Sequence, residues 1–361
     1  MSRTIQQPAR GVFGLAGNLP RRRRRRAVRW PPLFSPVMAT GIVSLGARQE
    51  GLPLLSSVLL WLTGALYALL FAYHAARFAR QPRRVIAELR TGAIFDYLTG
   101  VAAGCVLASG LLLAGAPSAP AWVLFVLSGL IWLTITAIAA VELLVIRSLH
   151  PRSEVQGGWL LAVVAPQALS VLALDLADGP RADALGAAAL VLWLLAGALY
   201  PAIAWLRLRR LESGRRAWAS LRSDDWILMG ALAISTLAGS ELLERLARHG
   251  APLADVRPLV LWAVVVQFTC ACCLTGLLLW GEARHATTPA ALRGDIPPAT
   301  RWASVFPLGM LAVACHAFAS STNLTLPRTL GDVVFAIALA AWLATAAVAA
   351  VERLGNLHVR C

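Results

Sequence analysis

The stretch FSPVMATGIVSLGARQEGLP, Phe34 to Pro53, reads as a membrane segment interrupted before it can cross a membrane. It opens on Pro36, carries Thr40, Gly41, Ser44 and Gly46, and meets Arg48 well short of the roughly 20 apolar residues that a spanning helix needs. A helix whose only task is to sit in lipid is longer and more uniformly apolar. Small, polar and helix-breaking residues are tolerated at membrane depth where protein or a water-filled cavity surrounds them. The segment is therefore expected to face protein or a pore.

The rest of the chain gives that reading its context. Of its 361 residues 58% are hydrophobic and only 14% charged, with a mean hydropathy of +0.68. Soluble domains carry about 25% charged residues, so the composition is that of an integral membrane protein. All 33 basic residues are arginine, and the formal net charge is +15. Their placement argues against a nucleic-acid partner. A dense block, Arg21 to Arg26, precedes the first apolar run, where it would be retained on the cytoplasmic side and touch anionic lipid headgroups. No convincing small-x-small cleavage site follows it. Residues 1–29 are expected to form a disordered, Arg-rich cytoplasmic tail, residues 30–355 the transmembrane domain, and residues 356–361 a short cytoplasmic tail.

Ten apolar segments follow one another, at about 34–47, 55–79, 94–115, 120–147, 157–177, 183–207, 225–245, 258–281, 302–320 and 329–352. An even number puts both termini on one side. Taking that side as cytoplasmic leaves all but six arginines inside, the exceptions being Arg48, Arg181, Arg245, Arg248, Arg257 and Arg328. So lopsided a split supports ten spans in the inner (plasma) membrane with both ends cytoplasmic.

The spans differ by parity. Gly, Ser, Thr and Pro are about twice as dense in the odd segments as in the even ones. Even segments such as VLLWLTGALYALLFAYHAARFAR look lipid-facing, whereas the odd ones look like a packed interior. Phe34, Phe95, Trp159, Trp226 and Trp302 open the odd segments at intervals of 61, 64, 67 and 76 residues. A period of one helical hairpin predicts an all-α integral membrane fold, with ten transmembrane helices arranged as five tandem hairpins around a central pore, odd helices inside.

Two runs carry a family resemblance. Phe34–Pro53 is similar to the first helix of the tellurite-resistance/dicarboxylate transporter family. The run RWASVFPLGMLAVACHAFA, Arg301 to Ala319, resembles its ninth helix, where an aromatic-x-x-x-Phe-Pro pattern recurs. The resemblance implies permeation of small anions or organic acids (C4-dicarboxylate, sulfite, halide or nitrate), commonly in a homotrimer. It also implies that the Phe of the ninth-helix motif, here Phe306, gates the pore.

On the residues alone Phe306 is either a core aromatic or such a gate, and the adjoining Pro307 and Gly309 would loosen the helix around it. Pro36, Gly41, Gly100, Gly104, Pro166, Gly230, Gly239, Pro307 and Gly309 either line the pore with exposed backbone dipoles or let helices pack closely. Thr40, Ser44 and Gln167 either face the same interior or satisfy neighbouring backbone. His316, midway along the ninth segment, is either a titrating group of a proton-coupled dicarboxylate carrier or a neutral, hydrogen-bonded imidazole. The six cysteines show no metal-ligand spacing. No zinc-protease, nucleophile-elbow or P-loop motif appears, so no enzyme, metal or cofactor is expected. A membrane sensor or structural protein remains the other class.

Overall fold

The computed structural model describes residues 34–146, 157–209, 225–248, 256–286 and 302–358. The Arg-rich tail with Arg21 to Arg26, and residues 359–361, lie outside the described residues. Every regular element described is helical: α1 (Ser35–Gln49), α2 (Pro53–Arg80), α3 (Leu98–Leu113), α4 (Ser118–Val141), α5 (Leu161–Asp175), α6 (Ala182–Leu208), α7 (Trp226–Arg248), α8 (Arg257–Ala286), α9 (Trp302–Thr322) and α10 (Thr325–His358). Short 3₁₀ turns, Gly92–Tyr97 and Gly157–Leu160, lead into α3 and α5.

Turn chemistry sets the hairpins. Each described turn that closes one contains a residue with left-handed backbone: Gly51 (φ 72°), Gly115 (φ 80°), Gly179 (φ 67°) and Asn323 (φ 58°). These are the residue types that adopt this conformation at least cost. After α1 the amide of Leu52 reaches back to the carbonyl of Ala47 (2.8 Å), and after α3 that of Ala116 to Leu111 (2.9 Å). Such six-to-one closures satisfy the last helical carbonyls and reverse the chain within a few residues. We call the end carrying these turns the rim, and the opposite end, where the odd helices begin, the base.

The odd helices form a closed ring in which α1 touches α3, α3 touches α5, α5 touches α7, α7 touches α9, and α9 returns to α1. Each even helix packs on its own hairpin partner and on the next odd helix around the ring. Burial divides the same way. The apolar windows of α3, α5, α7 and α9 are 67 to 89% buried, and those of α2, α4, α6, α8 and α10 only 17 to 28%. The sleeve shows large apolar side chains outward, among them Trp61, Val123 and Leu326, which suits contact with hydrocarbon rather than water.

Nine helices among the described residues are long and apolar enough to cross a membrane. The remaining helix, α1 of the ring, has 15 residues and a length of about 22 Å, less than a hydrocarbon core of about 30 Å. It needs no lipid-facing length because protein surrounds it; the buried positions run from Ser35 to Ala47 with few gaps. The expected ten-helix, five-hairpin arrangement with odd helices inside is the observed one.

One element differs from expectation. Residues Pro82–Leu89 form a short helix at the base where the arginines suggest a loop. Its Glu88 accepts hydrogen bonds from Arg77 at the end of α2 and from Tyr97 (3.1 Å) in the turn before α3. That cluster ties the connection to the first two hairpins. Also at the base, Asp225 accepts from Nε and Nη2 of Arg207 (3.0 and 2.7 Å), joining the end of α6 to the start of α7.

Candidate functional site

A cavity of about 300 Å³ lies inside the rim half of the ring and is lined by all five odd helices. Every helix contributes positions i, i+3 and i+7, the stripe that a single helix face presents, and α3 adds the flanking Cys105 and Leu112. The stripes stack in three tiers. The deepest is Ile42, Val106, Ala168, Ile234 and Met310; the next is Leu45, Ser109, Val171, Leu237 and Val313; the one nearest the rim is Gln49, Leu113, Asp175, Glu241 and Ala317. Within a tier, successive residues are 64, 62, 66 and 76 apart, and the same in every layer. The hairpin repeat is thus expressed as a layered, quasi-fivefold axis.

The tiers change character toward the rim. The deepest is wholly apolar, the middle one adds only Ser109, and the last holds two carboxyl groups and an amide. Ser109 Oγ donates to Asp175 Oδ2 at 2.5 Å, linking α3 to α5. Glu241 Oε2 is buried and has no hydrogen-bond partner among the described residues. Two further cavities open beside it. One, of about 580 Å³, is lined by Gln49, Glu241, His316 and Arg328; the other, of about 280 Å³, by Asp175, Glu241, Arg245 and Arg248. Glu241 therefore stands where all three meet. Arginines ring the mouth and carboxyl groups line the throat, so an anion drawn to the rim by the first meets repulsion from the second wherever those carboxyls are ionised.

One turn toward the base, the same register reaches Met38, Ala102, Val164, Gly230 and Phe306. Phe306 is the bulkiest member of that layer, is 7% exposed, and sits below the cavity rather than in its lining.

The other residues singled out in the sequence take different places, mostly at helix contacts. Thr40 donates to the carbonyl of Pro36 (2.7 Å) and accepts from Trp342 Nε1 of α10 (3.1 Å). Ser44 donates to the carbonyl of Ser56 on α2 (2.7 Å). Gln167 Nε2 donates to Ser235 Oγ on α7 (3.0 Å), bracing two ring neighbours. A β-carbon on Gly41 would stand 2.7 Å from Val106, on Gly100 3.3 Å from Phe34, on Gly104 2.7 Å from Ser128, and on Gly239 2.4 Å from Val264. Gly230 abuts Pro307 at 3.0 Å and Gly309 abuts Ile42 at 2.7 Å by the same measure. Pro166 is buried within α5. None of these lines the cavity; His316 lines only the neighbouring one. These glycines act in this structure as sites of close approach between helices.

Asp175, Glu241, Ser109 and Gln49 were not among the residues singled out. The signal for the first two was present, since both are acids inside odd apolar runs, LALDLAD and AGSELLE, and such residues mark pathways by default.

A family model described as a voltage-dependent anion channel matches residues 30–350. Two sequences from strains of Mycobacterium tuberculosis, each named only as an uncharacterized membrane protein, are 33% identical over 149 residues, which is 41% of this chain and 73% of theirs.

Proposed function

Because the chain belongs to the voltage-dependent anion channel family, we propose that small anions or organic acids cross the membrane along the axis enclosed by its five odd helices, with Phe306 as the gate. C4-dicarboxylate, sulfite, halide and nitrate are the substrate class. The observation that carries this reading is the cavity on the axis of a closed five-helix ring, lined in tiers by one residue per helix. A ring of this kind needs no soluble domain or cofactor to conduct; it needs a bore and a constriction. An apolar bore offers an anion no deep well in which to be trapped, and a bulky apolar side chain across it keeps water out and imposes a desolvation barrier. Phe306 has the size and the register for that role, in a layer whose other members include Ala102 and Gly230.

The arginine distribution supports a cytoplasmic base and an outward rim in the inner membrane, with both termini inside. Assembly as a homotrimer, and contact of Arg21 to Arg26 with anionic lipid, belong to the same proposal. A proton-coupled carrier working through His316 is the weaker reading. The imidazole turns to Glu50 on α1 and Asp332 on α10 and does not line the axial cavity.

The test is reconstitution in proteoliposomes with chloride, nitrate, sulfite and malate offered in turn under an imposed potential. At least one should move down its own electrochemical gradient without a pH gradient, and Phe306→Ala should carry it faster at equal protein content. Absence of flux for every anion in both proteins would defeat permeation; equal flux in the two would defeat the gate alone.

A further inference from the structure

A second polar cluster lies at the rim, off the axis, where α1 ends and α9 turns into α10. His316 Nε2 is 2.9 Å from Glu50 Oε1 and 3.6 Å from Asp332 Oδ1, and one donor atom from each of the three residues lies within 4.8 Å of the others. The imidazole and the Glu50 carboxyl are 13% and 19% exposed, and Asp332 is 51% exposed. Two donors are thus held by packing while the third meets water. Next to Asp332 stands Gly331, where a β-carbon would come within 3.0 Å of His316 Nε2. Only a residue without a side chain lets the imidazole lie this close to the first turns of α10.

We propose that Glu50, His316 and Asp332 form a divalent transition-metal site suited to Zn²⁺. One imidazole nitrogen and two carboxylate oxygens are a donor set that zinc takes readily, with bonds of about 2.0–2.2 Å. Tetrahedral geometry at that bond length separates neighbouring donors by roughly 3.3–3.6 Å; the contact to Asp332 stands at the upper end of that range, and the contact to Glu50 would lengthen by about 0.4 Å to admit the ion. Three protein ligands leave the fourth position to water, and the cavity of about 580 Å³ that His316 lines gives that water room. Hydrogen bonding alone accounts for the contact between His316 and Glu50. It does not account for a second carboxyl converging on the same nitrogen over a glycine. Binding would use the neutral imidazole and displace any proton it carries. The ion would fasten the rim ends of three helices, joining residues as distant in the chain as Glu50 and His316, 266 positions apart.

The experiment uses the purified full chain in detergent, titrated with Co²⁺ while visible absorption is followed, and then with Zn²⁺ in competition. Wild type should develop the intense visible bands of four-coordinate Co²⁺ and lose them stoichiometrically to Zn²⁺. Zn²⁺ should also raise its melting temperature, because a ligand of the native state stabilises it. Asp332→Asn and His316→Gln should weaken binding at least tenfold and abolish the thermal shift. Asp332 is half exposed, so its variant keeps the fold even if the buried histidine variant does not, and melting without metal verifies this. The proposal is overturned if wild type shows no Co²⁺ bands at a hundredfold excess of metal. It is equally overturned if Asp332→Asn binds as well as wild type, since the metal would then sit on other histidines or cysteines. Neither readout depends on anion flux.

Discussion

At a pH high enough to ionise the buried Glu241 carboxyl, replacing it with glutamine removes one negative charge from the throat while keeping the side chain's size, and it should raise anion flux. The magnitude follows from the cavity. A volume of about 300 Å³ corresponds to a sphere of about 4 Å radius, which puts an anion at its centre about 6 Å from a carboxylate oxygen in the wall. Coulomb repulsion at that distance is about 2.8 kcal/mol at an effective dielectric constant of 20 and about 0.7 kcal/mol in the water-like limit. Converted to a rate, the barrier change is roughly 3- to 100-fold. The assay is chloride or nitrate efflux from proteoliposomes at a fixed alkaline pH that ionises the carboxyl, normalised to the amount of folded protein, with Glu241→Asp as the charge-retaining control. Raising ionic strength should narrow the gap between Glu241→Gln and wild type, because the rim cavities expose the throat to solvent ions. A folded Glu241→Gln protein with unchanged or slower flux would refute the idea that an anion passes this carboxyl. So would an equal gain in Glu241→Asp.

Other sites make further predictions. Asp225→Asn leaves the Arg207 guanidinium facing a neutral group at a site where the carboxyl is 1% and the guanidinium 12% exposed; the loss should be about 3–5 kcal/mol, read as a lower melting temperature in detergent, and a variant melting with wild type would contradict it. Burial alone would raise the Glu88 carboxyl, but hydrogen bonds from Arg77 and Tyr97 outweigh it and hold it below the ordinary carboxylate range. Its folded value is therefore below its unfolded one, so its stabilisation is complete above an unfolded pKa of about 4.3 and fades as pH falls through the folded value. The melting-temperature gap between wild type and Glu88→Gln should be constant near neutrality and close in acid, and a gap that widens in acid would reverse the sign. Gly309→Leu, which forces a side chain against Ile42, should change the relative flux of small and large anions, whereas Gly239→Leu, facing Val264 and Trp193 on sleeve helices, should cost stability without changing that ratio.

The architecture was legible because lipid and protein demand different residues. A helix seen by lipid must be long and apolar, and α1 is neither; alternation of small-residue density then marks the inner ring in the sequence itself. The orientation of each helix about its own axis was not legible. Thr40, Ser44 and Gly41 satisfy a pore wall and a helix contact equally well, and which they meet depends on a rotation that composition does not encode. The three-tier spacing lay in the chain, yet only the structure says which of several possible stripes faces inward. Asp175 and Glu241 were overlooked because each falls near the end of an apolar run, where an acid reads as an interfacial group. Glu50, His316 and Asp332 obey no spacing rule, since α1 and α10 become neighbours only when the ring closes.

Glycines that do not line the bore nevertheless set its width. Five helices on a ring with centre-to-centre distance d have their axes about 0.85d from the middle, so spacings of about 8 and 10 Å place them about 6.8 and 8.5 Å out. Subtracting a helix radius of about 5 Å leaves a bore of about 1.8 or 3.5 Å radius. The whole difference between a pore that fits one dehydrated ion and one that fits a column of water is therefore about 2 Å of helix approach. Three of the five ring contacts are places where a glycine permits that approach: Gly41 against Val106 between α1 and α3, Gly230 against Pro307 between α7 and α9, and Gly309 against Ile42 between α9 and α1. The remaining two are pinned by hydrogen bonds, Ser109 to Asp175 and Gln167 to Ser235. Small residues between the ring helices thus act on permeation at one remove, by fixing how near the apolar tiers come to the axis, and a side chain added at any of the three contacts must widen the ring or break its closure.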